Sequence, residues 1–203
     1  MGCGGTKTAQ KSSEDKTATE RRIAWEKISR RLPRQKTAED KELRIKLFKK
    51  FCQNDTEKLT MEEVYQGCVN IVQLDELTTR LRDIVKRAFN KAKSMGSTAG
   101  DGQGSSEFVE LFEFRLILCY IYHYFQLTLM FDELDTSGNM LVDAKEFKGA
   151  VSKMSEWGFV IEDPGTVFKE IDVDSSGQVS FDEFAAWATA RKLDADEDAD
   201  NSE

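Results

Sequence analysis

Calcium, a hard divalent cation, is held by oxygen ligands at positions 1, 3, 5, 7, 9 and 12 of a twelve-residue loop, with a glycine at position 6. The stretch DVDSSGQVSFDE, residues 172–183, meets that pattern throughout. Asp172, Asp174 and Ser176 supply side-chain oxygens, and Gln178 supplies its backbone carbonyl. Ser180 acts directly or through water, and Glu183 closes the site with both carboxylate oxygens. Gly177 stands at the sharp turn, and Val179 has the β-branched form suited to a short ladder with a partner loop. An acidic turn without a metal is the bland alternative. The complete pattern, flanked by Phe168 and Phe184, favours a calcium site.

A second loop, DTSGNMLVDAKE (135–146), begins 37 residues earlier. Asp135, Ser137, Asn139, Asp143 and Glu146 take positions 1, 3, 5, 9 and 12, and Leu141 offers a carbonyl. Met140 stands where glycine is expected. A Cβ in left-handed backbone costs on the order of 1 kcal/mol, which three carboxylates can tolerate. The two loops therefore imply two Ca2+ ions. Loop 172–183 is expected to bind more tightly, because it has Gly177 and Asp174.

The elements that must position these loops repeat along the chain. An apolar-periodic helix, a polar loop and a second helix opening on Glu plus an apolar residue recur, at Glu63-Val64, Glu113-Phe114, Glu146-Phe147 and Glu183-Phe184. Aromatic residues precede each loop: Phe48 and Phe51, Phe89, Phe131, Phe168. Four helix–loop–helix units, taken in pairs, fill residues 37–193, divided as 37–124 and 125–193.

The front pair lacks the chemistry. In CQNDTEKLTMEE (52–63) Cys52 replaces the leading Asp, Glu57 the Gly, and Lys58 adds a positive charge. A thiol is a poor partner for a hard cation. From Asn90 to Glu113 there are 24 residues where twelve belong, including the flexible run GSTAGDGQGSS. Both loops read as scaffold.

Composition limits the remaining possibilities. The net charge of −8 divides unevenly: residues 1–50 carry +8 and the other 153 carry −16. That pattern argues against nucleic acid, and the basic front suits an anionic lipid surface or a solvated helix face. Cys3, Cys52, Cys68 and Cys119 form no CxxC pair, and no apolar signal segment is present, so the thiols are expected to stay reduced in a cytosolic setting. His123 is the only histidine and has no evident orienting partner; together with the absence of a phosphate-cradling glycine motif this argues against an enzyme.

Residues 1–18 read as a disordered tail and 19–36 as a short helix and linker, with Ile23, Trp25, Ile28 and Leu32 near helical spacing before Pro33. Residues 194–203, DADEDADNSE, read as an acidic solvated tail. The opening MGCGGT fits M-G-x-x-x-[ST], which directs a myristoyl amide onto Gly2. Cys3 offers a site for a second, palmitoyl chain. Lys7, Lys11 and Lys16, with Arg21 and Arg22, add a third attachment signal, and stable anchoring needs two. An unmodified flexible start is the plain alternative.

Taken together, MGCGGT, the AWEKI segment, EFVELFEFRLILCYIY (107–122) and the final loop pair resemble the flagellar calcium-binding proteins of trypanosomatids, the calflagins. The resemblance implies an all-α fold of two pairs of EF-hand helix–loop–helix units with short paired-loop β-ladders. It implies a dually acylated calcium sensor on the cytoplasmic face of the flagellar membrane, with Gly2 and Cys3 as lipid sites. The family is also similar to recoverin-type sensors, in which calcium controls exposure of an acyl chain or an apolar groove. Opening of the rear pair would uncover Met130, Phe131, Phe147, Met154, Phe168, Phe184 and Trp187; in a shut pair the same residues are core. A calcium sensor with an unidentified protein target, a calcium buffer, and a lipid-organising protein stabilised by calcium all remain open. The sequence gives no reading of dimerisation.

Overall fold

A computed structural model of the chain describes residues 20–52, 56–75, 77–96 and 108–200. The expected acylation sites Gly2 and Cys3, the basic residues Lys7, Lys11 and Lys16, and most of the glycine-rich insert lie outside them. The chain divides into two compact units, at residues 125 and 126.

The first unit opens with helix α1 (20–29). Trp25 and Ile28 are buried, whereas Ile23 is 62% exposed. Trp25 stacks on Phe125 with ring centroids 4.2 Å apart and planes within 3°. Offset aromatic pairs add about 0.5–1.5 kcal/mol to the burial itself. The linker after α1 is tied to helix α2 (Ala38–Phe51) by Arg44, a buried cation that donates to the carbonyls of Pro33 and Gln35 at 3.0 and 2.7 Å. Thr37 caps α2 by accepting from the Asp40 N–H.

Strand β1 (Lys58–Thr60) leads into helix α3 (Met61–Gly67), which opens on a capping box between Thr60 and Glu63. Gly67 is needed for close approach: a Cβ there would run into the ring of Phe51. A π-turn (Cys68–Val72) follows, ended by Gln73 in left-handed backbone. Helix α4 (Leu81–Gly96) continues six residues past Asn90, where the loop was expected to begin. Strand β2 (Phe108–Glu110) pairs antiparallel with β1. Helix α5 (Leu111–Leu134) then runs from the first unit into the second. Phe48 and Phe51 meet Phe114 edge-on at 5.3 and 5.5 Å, so the aromatics that flank the loops form this core.

In the second unit, strand β3 (Leu141–Asp143) precedes helix α6 (Ala144–Gly149) and helix α7 (Val151–Glu156). Helix α8 (Pro164–Ile171) starts with proline at its first position, capped by Asp163. Strand β4 (Gln178–Ser180) pairs antiparallel with β3 and opens helix α9 (Phe181–Asp200). This helix passes residue 194, where an unstructured acidic tail was expected. Extending a helix already nucleated adds one hydrogen bond per residue fixed, which outweighs the polar composition. Met130, Phe131, Phe147, Met154, Phe168 and Phe184 are all buried, and Trp187 stacks on Phe159 at 5.2 Å. Of the residues weighed as groove or core, six are packed as core and Trp187 is half-buried. No described helix is long and apolar enough to cross a membrane.

Candidate metal centre

Both ladders have the same register. Leu59 faces Val109 in one and Val142 faces Val179 in the other, so the eighth loop positions pair in each. Each loop closes on a glutamate whose Oε2 accepts from a backbone N–H three residues earlier. Glu63 does so from Thr60, Glu113 from Glu110, Glu146 from Asp143 and Glu183 from Ser180, at 2.9–3.0 Å. This arrangement fixes the twelfth residue of every loop against its own ladder strand. In Glu146 and Glu183 the other oxygen, Oε1, reaches back to the loop entrance.

In the loop at 172–183 the turn is built around the Asp172 carboxylate. Its Oδ1 accepts from the Ser176 N–H at 2.9 Å and its Oδ2 from the Gly177 N–H at 2.9 Å. Asp174 accepts from the same Ser176 N–H at 3.0 Å. Ser176 Oγ donates to the Gln178 carbonyl at 2.8 Å, and Ser180 Oγ donates to Glu183 Oε2 at 2.8 Å. Glu183 Oε1 reaches back to the Val173 N–H at the loop entrance, 3.1 Å away. Ligand atoms of Asp172, Asp174 and Glu183 all lie within 4.8 Å of one another. Among the described residues, no other three Asp, Glu, His or Cys side chains converge in this way. Hydrogen bonds from Ser176 hold the Asp174 carboxyl below its usual range, and the Ser180 N–H does the same for Glu183. Both groups are thus kept ionised and ready for a cation.

The loop at 135–146 repeats the frame with one difference. Asp135 accepts from the N–H groups of Gly138, Asn139 and Met140 at 2.8, 3.2 and 2.8 Å, and from Ser137 Oγ at 3.2 Å. Asn139 Oδ1 accepts from the Leu141 N–H. Glu146 Oε1 takes the Ser137 N–H and Thr136 Oγ at the entrance, 2.9 and 3.0 Å away. Asp143, expected as a ligand, turns its Oδ1 to the Lys145 and Glu146 N–H groups and caps α6. Asp135 and Glu146 are the carboxylates that accept from backbone N–H groups within this loop's turn and entrance.

The turn chemistry was only partly legible. Positions 4 and 6 are left-handed in both loops: Gly138 at φ 73° and Met140 at φ 68°, Ser175 at φ 56° and Gly177 at φ 79°. Each loop thus has one glycine and one side-chained residue in strained backbone. Gly138, overlooked in the sequence, offsets Met140, and Ser175 carries a strain that Gly177 does not remove. A glycine two places before the expected one was the available signal. Glu57 takes the same left-handed form, φ 56°, in the front loop, which preserves the turn after losing the ligands. There Thr56 Oγ donates to the Lys58 carbonyl at 3.0 Å, with the Cys52 thiol 3.7 Å from the same oxygen.

Both rear loops offer only oxygen donors, preorganised by backbone hydrogen bonds, so they fit a hard dication and not a soft one. The thiols contribute nothing here; burial pushes Cys68 up to about 12.

Residues 28–121 match a family model described as the FCaBP EF-hand domain, and residues 124–189 match one described as an EF-hand domain pair. The chain is 58% identical to the "Flagellar calcium-binding protein" of Trypanosoma cruzi, over 87% of its own length and 83% of that protein. It is 49% identical to "Flagellar calcium-binding protein TB-24" of Trypanosoma brucei brucei, over its whole length and 97% of that protein. Calcium-loaded apo-aequorin from Aequorea victoria matches at 20% identity and a TM-score of 0.29, covering 71% of this chain and 86% of that one.

Proposed function

The chain belongs to the family of flagellar calcium-binding proteins of trypanosomatids, and from that premise we propose that it is a non-catalytic calcium sensor of the flagellum. In this reading it takes two calcium ions in its rear pair of EF-hands. The observation that carries the reading is the convergence of Asp172, Asp174 and Glu183 within 4.8 Å on a turn already closed by Ser176 and Gly177.

Calcium, when bound, supplies the positive charge that such a carboxylate cluster needs. The protein's own part is preorganisation. Glu146 and Glu183 link each loop's entrance to its exit helix, so the state of the carboxylate is coupled to the α6 and α9 starts. Asp135 and Asp172 gather the intervening N–H groups. Calorimetry on the full chain is expected to show two binding events. Absence of heat at either loop removes the proposal for that loop.

Attachment to the cytoplasmic face of the flagellar membrane belongs to the same proposal. It is supported by MGCGGT, with Gly2 and Cys3 acylated, and by the basic segment that follows. Mass spectrometry of the native N-terminal peptide tests the acyl groups, and flotation with anionic vesicles in calcium and in chelator tests the response. A peptide of unmodified mass refutes the lipid part alone.

A calcium buffer is the second reading, favoured by the tight packing of Phe131 on Phe181 and Phe184 and of Phe147 on Phe168. A hydrophobic dye distinguishes the two: fluorescence that rises with calcium marks a sensor, and unchanged fluorescence marks a buffer.

A further inference from the structure

The front pair's second loop, the one closed by Glu113, poses a problem that its missing ligands do not solve. Its ladder and its closing glutamate are arranged as in the calcium-type loops, yet the loop at 172–183 holds that arrangement around three carboxylates. The feature that fills the same place in the second loop lies on α4. Lys93 Nζ donates to the Phe108 carbonyl at 2.6 Å and stands 3.7 Å from Glu113 Oε1. Phe108 is the seventh loop position, the counterpart of Gln178, because it pairs with Thr60 as Gln178 pairs with Asp143. Glu113 is the twelfth, the counterpart of Glu183, with Oε2 likewise spent on its ladder strand.

We propose that the Lys93 ammonium is a protein-supplied cation that completes the second hand in the place where the rear hands present their ion ligands. The oxygen that Glu146 and Glu183 turn to the loop entrance is the one Glu113 turns to Lys93. The carbonyl at position 7, a ligand in a working loop, accepts from the same ammonium. The Lys93 and Glu113 side chains are 16% and 8% exposed, so the pair is withdrawn from water and each partner needs the other. A lysine in the last turns of a helix also favours that helix's C-terminal dipole. That role alone would leave the ammonium among the α4 carbonyls; here it reaches the ladder strand and the closing glutamate.

The consequence is a division of labour. A tethered charge cannot dissociate, so the first unit keeps its hand closed whatever the calcium concentration, and the ion response is confined to the second unit. Lys93 is thus a positioning residue for the β1–β2 ladder. The inference stands apart from whether loops 135–146 and 172–183 take calcium.

Hydrogen exchange on the full chain, in chelator and in calcium, tests it. Lys93→Met is expected to speed exchange of the Glu110 amide by about tenfold or more, in both conditions, while the Val142 and Val179 amides keep their protection. Lys93→Arg is expected to retain most of the protection, and adding Glu113→Gln to Lys93→Met is expected to cause little further loss. In the unaltered protein the Lys93 ammonium protons, followed by nitrogen-15 NMR, are expected to exchange more slowly than those of the surface residue Lys49. Unchanged Glu110 exchange in Lys93→Met, or Lys93 protons exchanging at the surface rate, would overturn the proposal.

Discussion

Met140 and Gly177 occupy the sixth position of paired loops with nearly the same left-handed backbone, φ 68° and 79°. The loop geometry is therefore imposed by the frame, and a residue with a Cβ accepts it when the ladder and the closing glutamate hold both ends. Met140 is 52% exposed, so its side chain contributes little burial in return.

Met140→Gly is expected to stabilise the metal-free protein by about 0.5–1 kcal/mol, the strain of left-handed backbone less the added freedom of glycine. Chemical denaturation in chelator measures it. A loss of stability would show that Met140 is held by contacts stronger than its strain.

The two rear loops differ in ligand supply more than in turn strain. Glu183→Gln and Glu146→Gln are each expected to reduce two calcium events to one by calorimetry. The site that survives in Glu146→Gln is expected to be the tighter, since Asp172, Asp174 and Glu183 converge within 4.8 Å and no such group of three forms in the loop at 135–146. The reverse ranking would refute this ligand argument.

Gly67 packs its Cα against the Phe51 ring with no room for a methyl group. Gly67→Ala is expected to destabilise the first unit by about 1–3 kcal/mol, the usual penalty for overpacking. Its effect on calcium affinity in the rear loops is expected to be slight. Thermal unfolding combined with calcium titration checks both.

Cys68 is fully buried, and burial keeps its thiol protonated far above neutral pH. Alkylation near pH 8 is expected to spare Cys68 in the native protein and to reach it on unfolding, while the partly exposed Cys52 reacts. Mass spectrometry of the labelled peptides reads both sites. Rapid native labelling of Cys68 would show that the first unit opens readily.

The sequence by itself determined which loops carry oxygen donors at ligand spacing, because that spacing is a local property of the chain. The repeat of Glu plus an apolar residue also marked the start of every exit helix, since an N-terminal glutamate and the first core residue are set by neighbours in sequence. Tertiary structure decided what each donor does with its lone pairs. It set the Asp143 Oδ1 on the N-terminus of α6, and it placed Gly138 and Ser175 in left-handed backbone. It also brought Lys93 from α4 to the carbonyl of Phe108, fifteen residues away. No periodicity announces such a contact, because it depends on how a helix and a strand on either side of a long insert come together in space.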